Sequence, residues 1–336
     1  MEVNKIDIME ALDESFHLMH KPVEQEDTFS RYSSIYLAPT SNLKDTVNLF
    51  DINKDNKSAL VVGSQGGLAF ELLLKGYKRI DCFDKNVLQY MYFELAKTAI
   101  KNLDFKGFIL FLTGNENRFL LADEILDHLI YKMDSIPFGY WYELQKFNFG
   151  FIGTKNGLFR ANYYINKDYL ARLSSIYNET DYYRLQKILN SNNYQIDYHI
   201  CDIEDIPFEF EGKTYDLIMF DNIFQYYKSI PKLDNVAAAN RFATGQIENM
   251  LNPNGFLQMA YGFQLYYIAT KQTLNSPIPP EIKKHRYLNW TIEDEKKNGF
   301  IPQILKKYQN NYKLDFIPGA EDLLSQNVVL SRQKHL

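Results

Sequence analysis

The chain has 336 residues, enough for one large domain or two of ordinary size. Hydrophobic residues make up 46% and charged residues 24%, the balance of a globular protein with a substantial core. The net charge is −5 without a basic block, so we expect no nucleic-acid partner, and no apolar run is long enough for a membrane span. The two cysteines, Cys82 and Cys201, lack zinc-type spacing, which predicts no metal site and a reducing, cytoplasmic location.

The N-terminal segment, residues 1–50, is predicted to be largely helical. Apolar residues recur at helical spacing up to about residue 30, which indicates one amphipathic helix. No signal peptide is expected, because the segment lacks an apolar core and a cleavage site. After an extended stretch at 32–39, Thr40, Ser41 and Asn42 lead into a short helix that ends at Phe50.

The next stretch predicts a strand–turn–helix–strand unit. Residues 58–62 form a continuous apolar run, as a buried parallel strand does, and a turn with Gly63, Gly66 and Gly67 follows. A helix then runs to Gly76, and a second buried strand ends in Asp84. Such units cross over with a right hand and imply a parallel sheet.

The rest of the chain predicts three further strands of this sheet around a helical insertion. Residues 104–189 are too many for a simple connection, so they are interpreted as an inserted helical subdomain. Its aromatic residues Phe138, Tyr140, Trp141 and Tyr142 could wall a pocket or form its core. The remaining predictions are a helix at 87–103, strands at 194–200 and 215–220, a helix at 235–251, a turn at 252–255, a strand at 255–261 and an antiparallel pair at 312–317 and 328–331.

These elements predict an α/β, Rossmann-like fold with a mostly parallel, seven-stranded sheet. The nucleotide-binding domain comprises residues 51–103 and 190–336. Three of its strands are followed by acids, namely Asp84, Asp202 and Asp221, and ligands of open α/β sheets bind at this edge. Asp84 follows the glycine turn by about 20 residues, the spacing at which an acid accepts both ribose hydroxyls. The alternatives are a helix N-cap for Asp84 and a turn cap for Asp202.

The glycine spacing favours one cofactor over another. It departs from the GxGxxG pattern of dinucleotide enzymes and fits the looser turns of enzymes that use S-adenosylmethionine (SAM). In such enzymes the acid after the third strand, here Asp202, faces the adenine amine, and Ile203 would pack on the ring. A nicotinamide dehydrogenase is retained as a minor alternative.

Over residues 36–262 the chain resembles the family of SAM:diacylglycerol 3-amino-3-carboxypropyltransferases of betaine-lipid synthesis and its uncharacterised relatives. The matching segments are YLAPTSNL at 36–43, ALVVGSQGGLAFELLLKG at 59–76, IDCFDKN at 80–86, AIKNLDFKGFILF at 99–111, YHICDIEDI at 198–206 and YDLIMFDNIFQY at 215–226. The resemblance implies the class I SAM-dependent methyltransferase fold with a helical insertion.

The resemblance also implies roles for individual residues. Gly63, Ser64, Gln65 and Gly66 would hold the methionine part of SAM, Asp84 the ribose and Asp202 the adenine. Thr40 and Asn42 would come over the cofactor, and Asn222 would line the reaction centre. Lys85 and Ile203 are further candidate cofactor-binding residues, and Asp221 stands where SAM enzymes face the methionine part or the acceptor. Relatives often have Asp at the position of Gly67 and Glu at that of Gln225.

The predicted reaction is transfer of the 3-amino-3-carboxypropyl group of SAM to an acceptor. From their positions, Asp221 is the candidate base and Tyr226 its candidate orienting residue. One alternative is methyl transfer to a small molecule, and a second is SAM binding without catalysis, which the changes at Gly67 and Gln225 favour. The predicted partner is a small-molecule acceptor, lipid-like or amino-acid-like, and the oligomeric state is not predicted.

Overall fold

The fold was obtained as a computed structural model. It describes residues 6–20, 30–39, 41–50, 52, 55–113, 123–147, 157–160, 167–191, 193–221, 242–264, 313–318 and 325–333. The chain forms two compact units: Met1–Pro39 with Val62–Ile203, and Thr40–Val61 with Glu204–Leu336.

The first unit begins with helix α1 (Ile8–His20) and strand β1 (Ile35–Tyr36). Helix α3 (Gly67–Leu74), strand β3 (Arg79–Asp84) and helix α4 (Val87–Asn102) follow. Strand β5 (Gln195–Ile200) pairs in parallel with β3, with Asp84 opposite Ile200. The predicted α1 is confirmed over the described residues, and the predictions for β3, α4 and β5 are each correct to within about a residue.

Residues 104–189 are mainly helical, as the sequence predicts. Their elements are α5 (Phe105–Thr113), α6 (Asp123–Ile130), α7 (Ser135–Phe147), β4 (Phe159–Arg160), α8 (Lys167–Leu173) and α9 (Glu179–Asn190). The short strand β4 was not predicted; it pairs in parallel with β1. Two residues are too few to show the alternation of apolar and polar side chains that marks a strand. Strand β4 is therefore recognised only from its pairing with β1.

These helices pack on α4 through buried aromatic residues. The Trp141 Nε1 of α7 donates a hydrogen bond to the Met91 carbonyl of α4 (2.9 Å), and the Tyr182 hydroxyl of α9 donates to the Leu103 carbonyl (2.9 Å). Tyr140 and Trp141 are fully buried, so they belong to the core of the unit. Tyr142 is exposed and stacks on Phe138, which leaves this pair as candidates for a pocket wall.

A buried carboxylate ties α3 to the segment before α9. Glu71 accepts hydrogen bonds from the Ser174 hydroxyl (2.6 Å) and from the Ser175 backbone N–H. Burial raises the pKa of this carboxyl group, while the two serine hydrogen bonds lower it. The middle of α3 and the residues that follow α8 are therefore joined by a polar contact inside the core.

The second unit contains helix α2 (Leu43–Asn48) and a five-stranded sheet. Its strands are β2 (Ser58–Val62), β6 (Tyr215–Asp221), β7 (Leu251–Gln264), β8 (Lys313–Pro318) and β9 (Ser325–Gln333), in the order β2-β6-β7-β9-β8. The first three strands run parallel, and β8 and β9 form the predicted antiparallel pair. The short helix α10 (Ile206–Glu209) precedes β6.

One boundary in this unit was predicted wrongly. The helix predicted at 235–251 and the turn at 252–255 give way to a π-helix (Phe242–Ile247), a 3₁₀ turn (Glu248–Met250) and a strand that starts at Leu251. Leu251 pairs with Tyr215, and a register shift before the next pair absorbs the turn residues as a bulge. Residues 235–241 lie outside the described part of the chain.

The predicted α/β fold class with a mostly parallel sheet is confirmed, since β2, β6 and β7 pair in parallel in the second unit and β3 and β5 do so in the first. Among the described residues, five strands pair in the second unit and β3 pairs with β5 in the first. Among the described residues, no helix is long and apolar enough to cross a membrane. Within the same residues, no cluster of His, Cys, Asp and Glu could hold a metal ion.

Candidate functional site

The glycine turn between β2 and α3 is fastened to β3. The Gly63 N–H donates to the Phe83 carbonyl (2.7 Å), and the Gly66 N–H donates to the Gly63 carbonyl (2.8 Å). Gly66 has φ +89°, a left-handed conformation that other residues rarely adopt. A Cβ there would also lie 2.6 Å from the Phe93 ring. The sequence therefore needs glycine at 66 for both conformation and space.

Tyr198 of β5 fills the space behind Gly63, which the sequence did not indicate. A Cβ at Gly63 would lie 2.5 Å from Tyr198 Cζ. The Tyr198 ring is held by Tyr90 and Phe93 of α4, with centroids 5.2 and 5.0 Å away. Gly63 thus lets the turn lie directly on an aromatic layer.

Replacing Gly63 with alanine is expected to lower the free energy of unfolding by about 1–3 kcal/mol, because the added methyl group overpacks this layer. Thermal or urea unfolding measures the change. Adding Tyr198→Leu should recover part of the loss, since the two side chains compete for one space. Gly245→Ala is the matched control, because a Cβ at Gly245 meets nothing within 4 Å. Equal effects of the two alanine substitutions would contradict the predicted overpacking.

Asp84 is held at the end of β3 by two backbone N–H groups. Its Oδ2 accepts from the Ser64 N–H of the glycine turn (3.1 Å), and its Oδ1 accepts from the Asn86 N–H (3.0 Å). The α4 N-cap is Asn86, whose Oδ1 accepts from the Leu88 N–H (3.1 Å), so the alternative cap role for Asp84 is not needed. Burial raises the Asp84 pKa to about 6, and the two N–H groups oppose that rise.

Three more predicted residues lie beside Asp84. The Cys201 N–H donates to the Asp84 carbonyl (3.2 Å), which brings the ends of β3 and β5 together. Lys85 forms an ion pair with Asp202 (Nζ to Oδ2, 3.2 Å). The other Asp202 oxygen, Oδ1, accepts a hydrogen bond from the Ile203 N–H (2.7 Å). The Ile203 side chain is buried. The half-exposed ion pair contributes about 0–1 kcal/mol and can open for a ligand.

Gln65 completes the first cluster. It is buried, and its Oε1 accepts a hydrogen bond from the Ser64 hydroxyl. The structure thus brings together eight of the predicted residues within the first unit: Gly63, Ser64, Gln65, Gly66, Asp84, Lys85, Asp202 and Ile203.

Asp221 lies in the second unit, at the carboxyl end of β6. The Ser41 hydroxyl donates a hydrogen bond to its Oδ2. Its Oδ1 is buried and has no hydrogen-bond partner among the residues that the structure describes. Burial raises the Asp221 pKa to about 6, and the Ser41 hydrogen bond limits the rise. A carboxylate with one oxygen fixed and the other unpaired is suited to accept a proton.

The residue that donates to Asp221 is Ser41, which the sequence did not single out as a site residue. Asn42 instead caps helix α2, where its Oδ1 accepts from the Asp45 N–H (3.0 Å). The sequence signal that could have drawn attention to Ser41 is its position directly before the N-cap residue of α2. Thr40, Asn222 and Tyr226 lie outside the described residues.

Comparison with known proteins gives matches at the level of solved structures only. No protein-family profile matches the chain, and no curated protein matches its sequence. An O-methyltransferase family protein from Burkholderia thailandensis is 8% identical (TM-score 0.32), and the match covers 87% of this chain and 55% of that one. The chain thus spans about half the length of that protein.

Two further structures match over nearly their whole length. A putative S-adenosylmethionine-dependent methyltransferase from Listeria monocytogenes is 10% identical (TM-score 0.37), with 88% of this chain and 99% of that chain covered. The N-methyltransferase NodS from Bradyrhizobium japonicum WM9, solved in complex with S-adenosyl-L-homocysteine, is 10% identical (TM-score 0.34), with 97% and 96% covered. At these TM-scores the likenesses indicate no function.

Proposed function

We propose that this protein is a SAM-dependent transferase. The observation that carries the proposal is the position of Asp84, whose carboxylate is held by backbone N–H groups of both the glycine turn and the start of α4. A carboxylate fixed in this way next to a glycine turn is suited to accept hydrogen bonds from the two hydroxyls of a ribose.

The residues around Asp84 fit the remaining parts of SAM. Ser64 and Gln65 lie in the glycine turn, between Gly63 and Gly66. Because the two glycines have no side chains, the methionine part of SAM could approach the backbone of this turn closely. Asp202 would accept from the adenine amine after release from Lys85, and Ile203 would contact the ring. Asp84, Lys85 and Asp202 are partly exposed and lie at the carboxyl ends of buried strands. Ligands of open α/β sheets bind at this edge.

When bound, SAM supplies a sulfonium whose three neighbouring carbons are electrophilic. We assign Asp221 the removal of a proton from the acceptor, whose lone pair would form the new bond to carbon. The bond between that carbon and sulfur would break at the same time, and its electron pair would stay on sulfur, which leaves as a neutral thioether. The proton goes to Oδ1, since Oδ2 is occupied by the Ser41 hydroxyl. Asn222 and Tyr226 keep their predicted roles at the reaction centre and in orienting Asp221.

The first candidate for the transferred group is 3-amino-3-carboxypropyl, which the resemblance over residues 36–262 favours. Methyl transfer is the alternative, because the same cofactor cradle serves both. SAM binding without catalysis is the second alternative, and it is favoured by Gly67 and Gln225 at positions where relatives often have acids. The acceptor is a small molecule, and a cytoplasmic location is supported by the free cysteines Cys82 and Cys201.

The test is SAM binding by calorimetry, followed by chromatography of the nucleoside formed with pools of acceptors. We expect binding, and 5′-methylthioadenosine as the product. S-adenosylhomocysteine would establish methyl transfer instead. Binding without any product would favour the non-catalytic alternative, and absence of SAM binding would reject the proposed function as a whole.

A further inference from the structure

Gln258, in the middle of strand β7, carries a buried amide that has no hydrogen-bond partner among the described residues. Its side chain is fully buried, with 0% exposure. Neither its Oε1 nor its Nε2 has a hydrogen-bond partner among the residues that the structure describes, and both atoms are shielded from water. Buried polar groups are almost always paired, so an amide with both ends unpaired needs an explanation.

Gln258 and Asp221 lie on the same face of the sheet. Gln258 is in register with Met219 of β6, and Asp221 follows Met219 by two residues. Successive side chains alternate between faces, so Met219, Asp221 and Gln258 point to one side. Strand spacing and rise place the Cβ atoms of Asp221 and Gln258 roughly 8 Å apart. Asp221 Oδ1 is also buried and unpaired within the described part of the chain.

Unpaired polar atoms on one face are costly for folding. The Gln258 amide and Asp221 Oδ1 each lose hydrogen bonds to water and gain none from the residues that the structure describes. Leucine or methionine would fill the Gln258 position without that cost, as Met219 does on the neighbouring strand. Strained or unpaired groups persist where a ligand uses them.

We propose that Gln258 and Asp221 Oδ1 form the acceptor subsite, and that the acceptor is a polar small molecule. It presents an N–H or O–H group to Asp221 and an amide-like group, with one donor and one acceptor, to the Gln258 side chain. This inference rests on the proposed function and names its substrate class. The acceptor reaches both groups by displacing the side chains now packed against them.

A lipid acceptor does not fit this subsite. An acyl chain would leave the Gln258 amide unpaired, and a site built to hydrogen-bond its ligand rejects an analogue without the matching groups. The subsite therefore separates an amino-acid-like acceptor from a lipid-like one.

The first test is the stability of Gln258→Leu and Gln258→Met in the full chain. Both should raise Tm by at least about 2 °C, because they remove the unpaired amide. Met219→Leu, in register with Gln258, is the control and should change Tm less. A lower Tm in both Gln258 variants would show that the amide is already satisfied and would overturn the proposal.

The second test compares two acceptor pools with SAM: the water-soluble, low-mass fraction of a cell extract, and a lipid extract in phosphatidylcholine vesicles. The nucleoside product should form with the water-soluble fraction and fall by about 10–100-fold in Gln258→Leu, while SAM affinity is unchanged. Turnover with lipid alone, turnover that Gln258→Leu leaves intact, or no turnover by a protein that binds SAM would overturn the subsite. Failure to bind SAM would instead reject the proposed function.

Discussion

Replacing Asp84 with asparagine is expected to weaken SAM binding by about 100–10,000-fold. The carboxylate would accept two charge-assisted hydrogen bonds from the ribose, each contributing about 1.5–3 kcal/mol, and a factor of ten corresponds to about 1.4 kcal/mol. An asparagine amide would also direct a donor at the N–H of Ser64 or Asn86, both of which now donate to Asp84. Calorimetry at pH 7.5 measures the affinity.

The pH dependence of binding gives a second signature of Asp84. Its pKa is raised to about 6 by burial, so the free protein protonates this group as the pH falls through 6. Only the ionised form accepts from both hydroxyls, and SAM affinity should therefore fall by up to about tenfold per pH unit below 6. Asp84→Asn should bind with an affinity that does not change over this range.

Asp197→Asn is the matched control for Asp84→Asn. Asp197 lies on the adjacent strand β5 but three residues before its carboxyl end, where it accepts from the Gln195 side chain (2.6 Å). Its replacement should leave SAM affinity within about twofold of the wild type. Unchanged affinity in Asp84→Asn, or equal losses in both variants, would reject the ribose role.

Replacing Asp221 with asparagine is expected to lower turnover by about 100–10,000-fold while leaving SAM affinity nearly unchanged. General bases typically accelerate a reaction by this factor, and the replacement removes the base while the other groups of the site stay in place. In the wild type, turnover should rise with pH up to a plateau above about 6, the Asp221 pKa, because the base must be ionised. Ser41→Ala should shift this rise to higher pH, since it removes the hydrogen bond that stabilises the carboxylate.

Asp216→Asn separates a loss of chemistry from a loss of stability. Asp216 lies near the start of the same strand β6 and accepts from the Ser58 N–H (2.9 Å) and the Asn252 side chain (2.8 Å). Its replacement should lower Tm but keep the turnover of the folded protein. Full turnover in Asp221→Asn would remove this residue as the base.

The sequence predicts the parts of the fold that local pattern determines. The apolar runs of β2, β3 and β6 are long enough to show buried parallel strands, and the acid at the end of β3 follows from the order of elements. The start of β7 was missed because residues 252–255 have the composition of a turn, whereas their pairing with β6 makes them a bulge. Only the partner strand distinguishes the two.

The candidate site shows the same division between local and long-range information. Gly63, Gly66 and Asp84 are close in sequence, and their spacing indicates their contacts. Ser41 and Tyr198 reach Asp221 and Gly63 from 180 and about 135 residues away, and no local pattern relates them. Gln258 looks like an ordinary polar residue of a strand until its burial is known.

The buried contact between Glu71 and the two serines before α9 has a consequence for protein engineering. Helix α3 starts immediately after the glycine turn, so we expect a shift of Ser174 or Ser175 to move the turn at which we propose that SAM binds. Libraries that vary these serines to obtain new acceptors will therefore also change cofactor affinity. Libraries that keep both serines and Glu71 fixed can redesign the neighbouring helices while this anchor holds the turn in position.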